Sequence, residues 1–388
     1  MNENIKYLAK FGLLLTAEQY AKNSQQTVVV GMSGGVDSSV CALLIKMQGY
    51  KTIGIFMKNW EELDDSGQCS SQKDYEDVTA VAESLEIPYF SINFVEEYRE
   101  NVFKYFLEEY EAGFTPNPDI LCNREIKFKV FFEKARELGA DFLATGHYCQ
   151  KKIIDGKSTL IKGEDQGKDQ TYFLYTMQEE VLNHVLFPIG SLQKKDVRKI
   201  AEDYNLATAA KKDSTGICFI GERNFKNFLS TYLTKQQGSF VRLDDKKQLG
   251  PHDGYCFYTI GQRKGLGLGG PGGPWFVADK DKKTNTVYVV EGDKHPALYA
   301  DELTCDELSW VNEKPIFPLT CKAKIRYRQQ DQDCIVIEKE GKLFVEFTES
   351  QRAIALRQSI VFYKDNICLG GGMISSRGLS HFEQKNSL

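Results

Sequence analysis

Short apolar runs alternate with helix-length segments along the first third of the chain. Segments 38–48 and 101–111 have helical periodicity, and four runs rich in β-branched and aromatic residues predict buried strands. The four runs are 27–31, 51–57, 89–94 and 141–145. This order predicts an α/β fold, a parallel sheet with helices on both faces, whose ligands bind at the carboxyl ends of the strands.

The pattern changes in the second half of the chain. Helical periodicity returns at 194–204 and 222–233, and the glycine-rich stretch 250–273 predicts tight turns. Further along, short β-type runs recur between turn residues, which predicts a small barrel or sandwich. These runs are 285–291, 322–328, 334–338, 343–347 and 359–363.

We therefore predict three units. An N-terminal catalytic domain covers 1–225 and begins with a helical extension, in which Thr16 and Gln19 are spaced as a capping box. A central linker domain follows over 226–295, and a C-terminal β-barrel occupies 296–388. A chain of 388 residues is long enough for two or three domains of ordinary size.

Composition narrows the class of protein. Hydrophobic residues make up 41% and charged residues 27%, and no apolar run approaches the ~20 residues of a membrane span, so we expect a cytoplasmic protein without membrane association. None of the ten cysteines has the close spacing typical of zinc or iron–sulfur sites, which predicts no metal centre. The net charge of -5 argues against indiscriminate nucleic-acid binding.

Directly after the first predicted strand, the sequence GMSGGVDSS leads into a helix. Small residues let the backbone approach a ligand closely, and the free N–H groups of the helix's first turn point at anions. The loop is neither a Walker A motif nor a dinucleotide fingerprint, and a turn that uses Gly and Ser for geometry alone is the alternative. The predicted phosphate loop consists of Gly31, Met32, Ser33, Gly34, Gly35, Val36, Asp37 and Ser38.

Two of the ten cysteines stand in polar, loop-like sequences. Cys122 follows TPNPDIL and precedes a helix expected over 124–138, whose N-terminus and first arginine would favour the thiolate. Cys218 lies in DSTGICFIG, which predicts an exposed loop. Cys41 and Cys334 instead fit inert, buried small hydrophobes.

SGGVDSS resembles the pyrophosphate loop of the ATP pyrophosphatases (PP-loop enzymes). Together with PNPDILCNREIKF, TGHY, KDQTYFL, DSTGICFIGER, YTIGQRKGLGLGG and RYRQ, it resembles the bacterial tRNA-specific 2-thiouridylases over residues 27–375. The resemblance implies ATP-dependent adenylation of the wobble uridine 2-carbonyl in the tRNAs for Lys, Glu and Gln, with Mg²⁺ bridging to pyrophosphate. It also implies sulfur transfer from a persulfide supplied by a donor protein, either a relay protein or a cysteine desulfurase.

The same resemblance implies roles for individual residues. Cys218 carries the persulfide, and Cys122 is the second catalytic thiol, which either releases sulfide or closes a Cys122–Cys218 disulfide. Asp119 acts as general acid or base, or hydrogen-bonds the uracil edge. Met57 and Gly146 lie at strand ends on the rim where adenine and ribose would bind, although either fits an ordinary strand-end residue.

The implied tRNA contacts are spread along the chain. They are Asn117, Pro118 and Asp119 for the target base, and His147, Lys168, Asp169, Gln170, Arg326, Tyr327 and Gln358 elsewhere. A structural histidine and a solvated turn are the alternatives for His147 and for 168–170. Strand alternation over 322–328 predicts four cations on one face, where a phosphate backbone would relieve their repulsion, unless that face is merely solvated. Gln358 stands in ALRQS, where the family usually has APGQS.

Two other functions fit parts of this pattern. Another PP-loop enzyme that adenylates a small molecule, such as an amide-forming synthetase, would need ATP but neither cysteine nor a basic β unit. A non-enzymatic RNA-binding protein with an inactive nucleotide fold would not need an intact SGGVDSS together with both Cys122 and Cys218.

Overall fold

The structure is a computed structural model that describes residues 3–61, 70–213, 216–217, 220, 224–269 and 272–386. Cys218 therefore lies outside the described residues, as do Ser214 and Thr215. None of the helices in the described ranges combines the length and apolar content that crossing a bilayer requires.

The strands fall into three sheets. In chain order they are β1 Thr27–Met32, β2 Lys51–Lys58, β3 Tyr89–Asn93, β4 Phe142–Ala144, β5 Cys149–Ile154, β6 Lys157–Lys162, β7 Val185–Leu186, β8 Gly238–Arg242, β9 Gln248–His252, β10 Trp275–Asp281, β11 Thr286–Glu291, β12 Tyr299–Trp310, β13 Leu319–Lys324, β14 Gln332–Lys339, β15 Lys342–Arg352, β16 Ser359–Lys364 and β17 Ile367–Arg377.

The helices lie mostly in the first two thirds of the chain. They are α1 Glu3–Ala9, α2 Ala17–Asn23, α3 Val36–Met47, α4 Ser70–Ser84, α5 Val95–Tyr98, α6 Lys104–Glu111, α7 Pro118–Leu121, α8 Phe131–Glu137, α9 Glu179–Leu182, α10 Lys194–Asp203, α11 Phe225–Leu229 and α12 His381–Asn386. Two π-helical segments, Arg99–Phe103 and Cys122–Val130, join α5 to α6 and α7 to α8. Short 3₁₀ turns cover Thr171–Phe173, Tyr255–Phe257 and Pro296–Leu298.

A parallel sheet with helices on both faces forms the N-terminal unit, as the sequence pattern predicts. Its strand order is β3-β2-β1-β4-β7. Successive residues of a strand point to opposite faces, so Val29 packs into one hydrophobic core while Val28 and Val30 pack into another. The second core includes almost all of α3, which is hydrophobic around most of its circumference and is buried accordingly.

Two antiparallel-rich units follow. A four-stranded sheet of order β10-β11-β8-β9 forms the central unit. Strands β12, β15, β14, β13, β16 and β17 pair in that order, and pairing of β12 with β17 closes them into the predicted barrel. The hairpin of β5 and β6 leaves the N-terminal unit and adds to the edge of β17 through the pair Ile161 and Ile367.

The structure confirms some of the predicted elements and corrects the extent of two others. The predicted strands of the parallel sheet and the capping box of Thr16 and Gln19 are confirmed. The predicted helix over 222–233 is wrong in extent, because its described part runs only from Phe225 to Leu229, with Asn224 as its N-cap. The predicted strand over 322–328 is also wrong in extent, because β13 covers Leu319–Lys324 and ends there.

The end of β13 has a local cause. The N–H of Ile325 is taken by the side-chain oxygen of Gln329 at 2.8 Å, and Arg328 adopts a positive φ of 65°. A strand cannot continue through residues whose backbone donors and dihedrals are used in this way.

Candidate functional site

The predicted phosphate loop lies at the carboxyl end of β1 and at the N-terminus of α3. Gly34 has a φ of 73°, and a Cβ there would lie 2.6 Å from the carbonyl oxygen of Asp74, so the position requires glycine. The N–H of Ser33 donates to Ser38 Oγ at 3.1 Å, and Ser38 Oγ donates to the Gly35 carbonyl at 3.0 Å. These bonds shape the loop while the first turn of α3 presents its N–H groups to an anion.

The other residues assigned to nucleotide binding have different settings. Met32 and Val36 are buried in the core, so only their backbones face the loop. A Cβ on Gly31 would lie 3.2 Å from the ring of Phe131, which shows how closely α8 packs beneath β1. Met57 is the last residue but one of β2 and packs, partly buried, against the core. The nucleotide roles of these residues stay predictions.

Gly146 packs directly on the phosphate loop. It follows β4, the neighbour of β1, at the point where the strand order reverses. A Cβ at this position would lie 2.9 Å from both the carbonyl carbon of Asp37 and the backbone nitrogen of Ser38. Only glycine therefore allows the segment after β4 to approach this close.

Asp37 is held by two side chains that the sequence pattern does not single out. The hydroxyl of Tyr148 and Nζ of Lys194 each lie 2.7 Å from Asp37 Oδ1. Within the described ranges both contacts use Oδ1, which leaves Oδ2 for a hard cation or its water. No group of three or more potential metal-ligating side chains converges among these described residues.

The helix that carries Cys122 starts earlier than predicted. Asn117 caps it by accepting from the Ile120 N–H at 3.4 Å, and Pro118 occupies the first helical position. Cys122 is therefore inside the helix and 2% exposed, and the loop setting predicted for it is wrong. The side chain of Arg124 pairs with Glu125 at 2.7 Å.

Asp119 and His147 share an electrostatic neighbour, Lys127, which the sequence reasoning missed. Burial raises the pKa of the Asp119 carboxyl, and the charge of Lys127 opposes that rise. Burial holds the pKa of His147 well below its usual value, and Lys127 lowers it further. His147 is therefore a neutral imidazole, with Nδ1 2.9 Å from Thr145 Oγ1 and its ring against Phe128.

Cys218 and Phe219 are outside the described residues, but Ile217 and Ile220 on either side of them are described. Ile220 belongs to the same hydrophobic core as Cys122, and Ile217 packs against that core. Cys41 and Cys334 are buried as predicted, and Cys334 Sγ lies 3.7 Å from Cys321 Sγ on the neighbouring strand.

The segment 168–170 is built into the protein interior. Asp169 accepts hydrogen bonds from the N–H groups of Gly163 and Thr171, both at 3.2 Å, and lies 3.5 Å from Lys324 of the barrel. The side-chain oxygen of Gln170 accepts from the Tyr148 N–H at 2.9 Å. These contacts replace the solvated turn considered above, and the tRNA contact stays a prediction.

The expected row of four cations on one strand face is wrong. Lys324 is 8% exposed and lies near Asp169 and Asp331, while Lys322 pairs with Asp333 at 3.1 Å. Arg326 turns inward and donates to the carbonyl of Ala353, and burial lowers the pKa of its guanidinium. Tyr327 packs on Phe173, with ring centroids 4.4 Å apart. Arg328 is the exposed cation of this segment.

The ALRQS sequence places an arginine where the family usually has glycine. Arg357 takes the left-handed conformation, with a φ of 68°, that glycine favours. Its guanidinium pairs with Glu109 of α6 at 3.1 Å and with Glu307 of β12 at 3.0 Å. Two ion pairs thus compensate for the backbone conformation at this point.

Sequence reasoning missed Tyr148, Lys194 and Asp213 for different reasons. Tyr148 stands inside the quoted motif TGHY, so its position was a usable signal. Asp213 opens the quoted motif DSTGICFIGER, so its position was a usable signal as well. Lys194, by contrast, contacts Asp37 from 157 residues away and Asp213 from 19 residues away, and no local pattern predicts such contacts. Such contacts appear only when the helices are packed.

Comparison with protein families gives three successive matches. Residues 26–222 match the tRNA methyl transferase HUP domain, 226–291 the tRNA methyl transferase PRC-barrel domain, and 300–374 the aminomethyltransferase beta-barrel domain. Among solved structures, the U34-tRNA thiolase NcsA from Methanococcus maripaludis is 18% identical, with a TM-score of 0.37 over 59% of this chain and 70% of that chain.

Curated relatives match nearly the whole chain. The tRNA-specific 2-thiouridylase MnmA of Protochlamydia amoebophila (strain UWE25) is 59% identical over 367 residues, which cover 94% of this chain and 97% of the relative. The protein of the same name from Bacillus subtilis (strain 168) is 55% identical over 350 residues, or 89% and 94% of the two chains. The chain therefore belongs to the tRNA-specific 2-thiouridylase family.

Proposed function

We propose that this protein is a sulfurtransferase that activates the 2-carbonyl of a tRNA wobble uridine with ATP and replaces its oxygen with sulfur. The observation that carries the proposal is the dipeptide Gly146-His147. Gly146 packs on the backbone of the phosphate loop. The charge of Lys127 lowers the pKa of both His147 and Asp119, and Asp119 lies one helical turn before Cys122. These contacts support the proposal that activation and sulfur transfer take place in one site.

The first half-reaction requires a stabilised leaving group. The uracil 2-oxygen attacks the α-phosphorus of ATP, a bond to that oxygen forms, and the bond to pyrophosphate breaks. Loop N–H groups and the N-terminus of α3 stabilise the charge of the departing pyrophosphate, with Ser33 and Ser38 hydroxyls beside them. Mg²⁺, when bound, would supply further charge neutralisation, and Asp37 Oδ2 is the oxygen suited to hold it or its water.

The second half-reaction moves sulfur. The terminal sulfur of a persulfide on Cys218 attacks C2 and AMP leaves, which gives a C2–S–S–Cys218 adduct. A Cys122 thiolate then attacks the Cys218 sulfur, releases 2-thiouridine and forms a Cys122–Cys218 disulfide, which a thiol reductant reopens. Alternatively, the Cys122 thiolate first attacks the inner sulfur of the persulfide, which forms the same disulfide and releases hydrosulfide, and the hydrosulfide then attacks C2 and displaces AMP. A donor protein, either a relay protein or a cysteine desulfurase, restores the persulfide.

Base recognition uses the segment at the start of α7. A wobble base is reached only when it leaves the anticodon stack, so a pocket must hold it. Asn117, Pro118 and Asp119 form the helix start just before Cys122, and the charge of Lys127 lowers the pKa of His147. A carboxyl with a raised pKa suits proton transfer to or from the uracil, which is the role we propose for Asp119.

The decisive experiment combines the persulfide-loaded protein, ATP and a tRNA transcript for Lys, Glu or Gln, and measures nucleosides by mass. We expect 2-thiouridine at the wobble position together with AMP and pyrophosphate, and none from a transcript with cytidine at that position. Two of the matched families carry tRNA methyl transferase in their names, so S-adenosylmethionine is added in a parallel assay, and a methylated wobble nucleoside in place of 2-thiouridine would contradict the proposal. So would ATP consumption that needs only a small molecule.

A further inference from the structure

Three cations surround a single carboxylate, that of Asp213. Lys168 Nζ lies 2.7 Å from Asp213 Oδ2, while Lys194 Nζ and an Arg198 guanidinium nitrogen lie 2.8 and 2.6 Å from Oδ1. Burial alone would raise the pKa of Asp213, but hydrogen bonds from Lys168 and Lys194 hold it well below its usual value. The carboxylate is therefore firmly ionised and held from three sides.

Lys194 connects this cluster to the phosphate loop. Its Nζ lies between Asp213 at 2.8 Å and Asp37 at 2.7 Å, so one ammonium group bridges two carboxylates. The backbone N–H of Lys194 donates to Asp165 at 2.9 Å, and the ring of Tyr148 lies 5.7 Å from its Nζ. A side chain held on so many sides is a rigid spacer between the loop and Asp213.

Arg198 extends the anchoring along the backbone before Asp213. It donates to the carbonyls of Ala209 at 2.8 Å and Lys211 at 2.6 Å, and Lys211 in turn pairs with Asp74 at 2.8 Å. The chain that enters the DSTGIC motif is thus fastened to α10 and α4. Cys218 follows Asp213 by five residues, a length of chain that reaches at most roughly 17 Å.

Sulfur transfer depends on such an anchor. The carbon that accepts sulfur is joined through one oxygen to the α-phosphorus, so the phosphate loop fixes its position. A nucleophile must reach it before water does, and small displacements of a reacting group are costly. Because Lys194 joins Asp213 to Asp37, and Asp213 precedes Cys218 by five residues, this anchor limits how far the sulfur source can lie from the same loop.

We propose that Asp213 is a positioning residue for sulfur transfer. It keeps the sulfur source close to the adenylate, so that sulfur rather than water reacts with it. This inference rests on the proposed function. Asp213 does not touch the reacting atoms, and it acts through Lys194 and through the chain that leads to Cys218. Its loss should leave adenylation intact while the adenylate is increasingly lost to water, which regenerates uridine and releases AMP without sulfur.

The test is the ratio of AMP to 2-thiouridine in a single turnover, with protein loaded as the persulfide by inorganic polysulfide. Asp213→Asn should raise that ratio at least about tenfold. Asp213→Glu, which keeps the charge, should restore much of the coupling. The matched control is Asp203→Asn, which removes an ion pair with Lys199 at the far end of α10 and should keep the wild-type ratio.

The outcomes separate cleanly. An unchanged ratio in Asp213→Asn, or a loss of AMP formation in parallel with 2-thiouridine, would overturn the inference. If that variant does not fold, as judged by its urea unfolding curve, Arg198→Met removes the same anchor from its other side and must raise the ratio. Failure of the proposed function is distinct, because the wild-type protein itself would then form no 2-thiouridine.

Discussion

The side-chain amide of Gln358, in the barrel, donates hydrogen bonds to the backbone carbonyls of Thr115 at 2.7 Å and Pro116 at 3.3 Å. The N–H of Thr115 donates in return to the carbonyl of Leu356 at 3.3 Å. The Thr115 hydroxyl also meets that of Thr259, in the central unit, at 3.4 Å. The loop predicted to hold the target base is thus fastened by both C-terminal units.

Gln358→Glu tests whether this fastening serves tRNA. The substitution is nearly isosteric, but it removes the two donors and sets a carboxylate against two carbonyl oxygens, at a cost of about 1–3 kcal/mol. We expect the KM for tRNA to rise about tenfold while the KM for ATP stays constant. Steady-state kinetics check this, with the exposed Gln330→Glu as control. A parallel rise in the KM for ATP would contradict it.

Gly146→Ala should impair ATP use more than folding. The added methyl would lie 2.9 Å from the backbone of the phosphate loop and must displace it. We expect ATP-dependent adenylation to fall at least about a hundredfold, because the loop positions the reacting phosphates. Single-turnover AMP formation measures this. Gly269→Ala, where a Cβ meets nothing within 4 Å, should be neutral.

Asp119→Asn should trade activity for stability. Because the folded protein holds the Asp119 proton more tightly than the unfolded chain does, ionisation costs stability as the pH rises through the raised pKa. The variant should therefore be more stable than wild type at neutral pH, and the difference should shrink as the pH falls towards about 4. Urea unfolding across that range checks the sign. Thiolation by the variant should fall at every pH.

Arg328→Gln should weaken tRNA binding through phosphate contact alone. Arg328 is exposed, whereas the guanidinium of Arg326 serves the protein interior, so a double alanine variant would confuse binding with folding. We expect the slope of log affinity against log salt concentration to become shallower by about one, because one phosphate contact is lost. A filter-binding salt titration measures it. Lys195→Gln, on exposed α10 surface, should leave the slope unchanged.

The two thiols should separate the half-reactions. Cys218→Ser should abolish thiolation and still permit ATP-dependent adenylation of tRNA, because the persulfide enters only after AMP is attached. Cys122→Ser should abolish thiolation as well. Pyrophosphate release and nucleoside mass report the two steps. The buried Cys256→Ser serves as control, and full sulfur transfer by Cys218→Ser would end the persulfide assignment.

Local sequence pattern predicted much of this fold, for a physical reason. The phosphate loop, the parallel strands and the capping box depend on residues close together in the chain, so periodicity and glycine placement reveal them. The early start of the Cys122 helix was also readable, since Asn117 and Pro118 form a standard N-cap and first-turn pair.

Partners distant in sequence were not readable. Alternation alone made Lys324 part of an exposed cationic face, but Asp169 lies on a turn 155 residues earlier, and only packing brings the two together. The same holds for Lys194, whose importance comes from bridging Asp37 and Asp213. A row of like charges along a strand predicts an exposed cationic face only when no carboxylate from a distant part of the sequence packs against it.

The hairpin of β5 and β6 changes how the chain can be divided. Besides the pair Ile161 and Ile367, the N–H of Lys162 donates to the Asn366 carbonyl at 2.9 Å, and its buried ammonium group pairs with Asp331 at 2.6 Å. A cut between the units would expose a strand edge and leave the buried Lys162 ammonium group without its partner. The three matched families divide the sequence into successive stretches, whereas these hydrogen bonds and this ion pair join the N-terminal unit to the barrel in the folded protein.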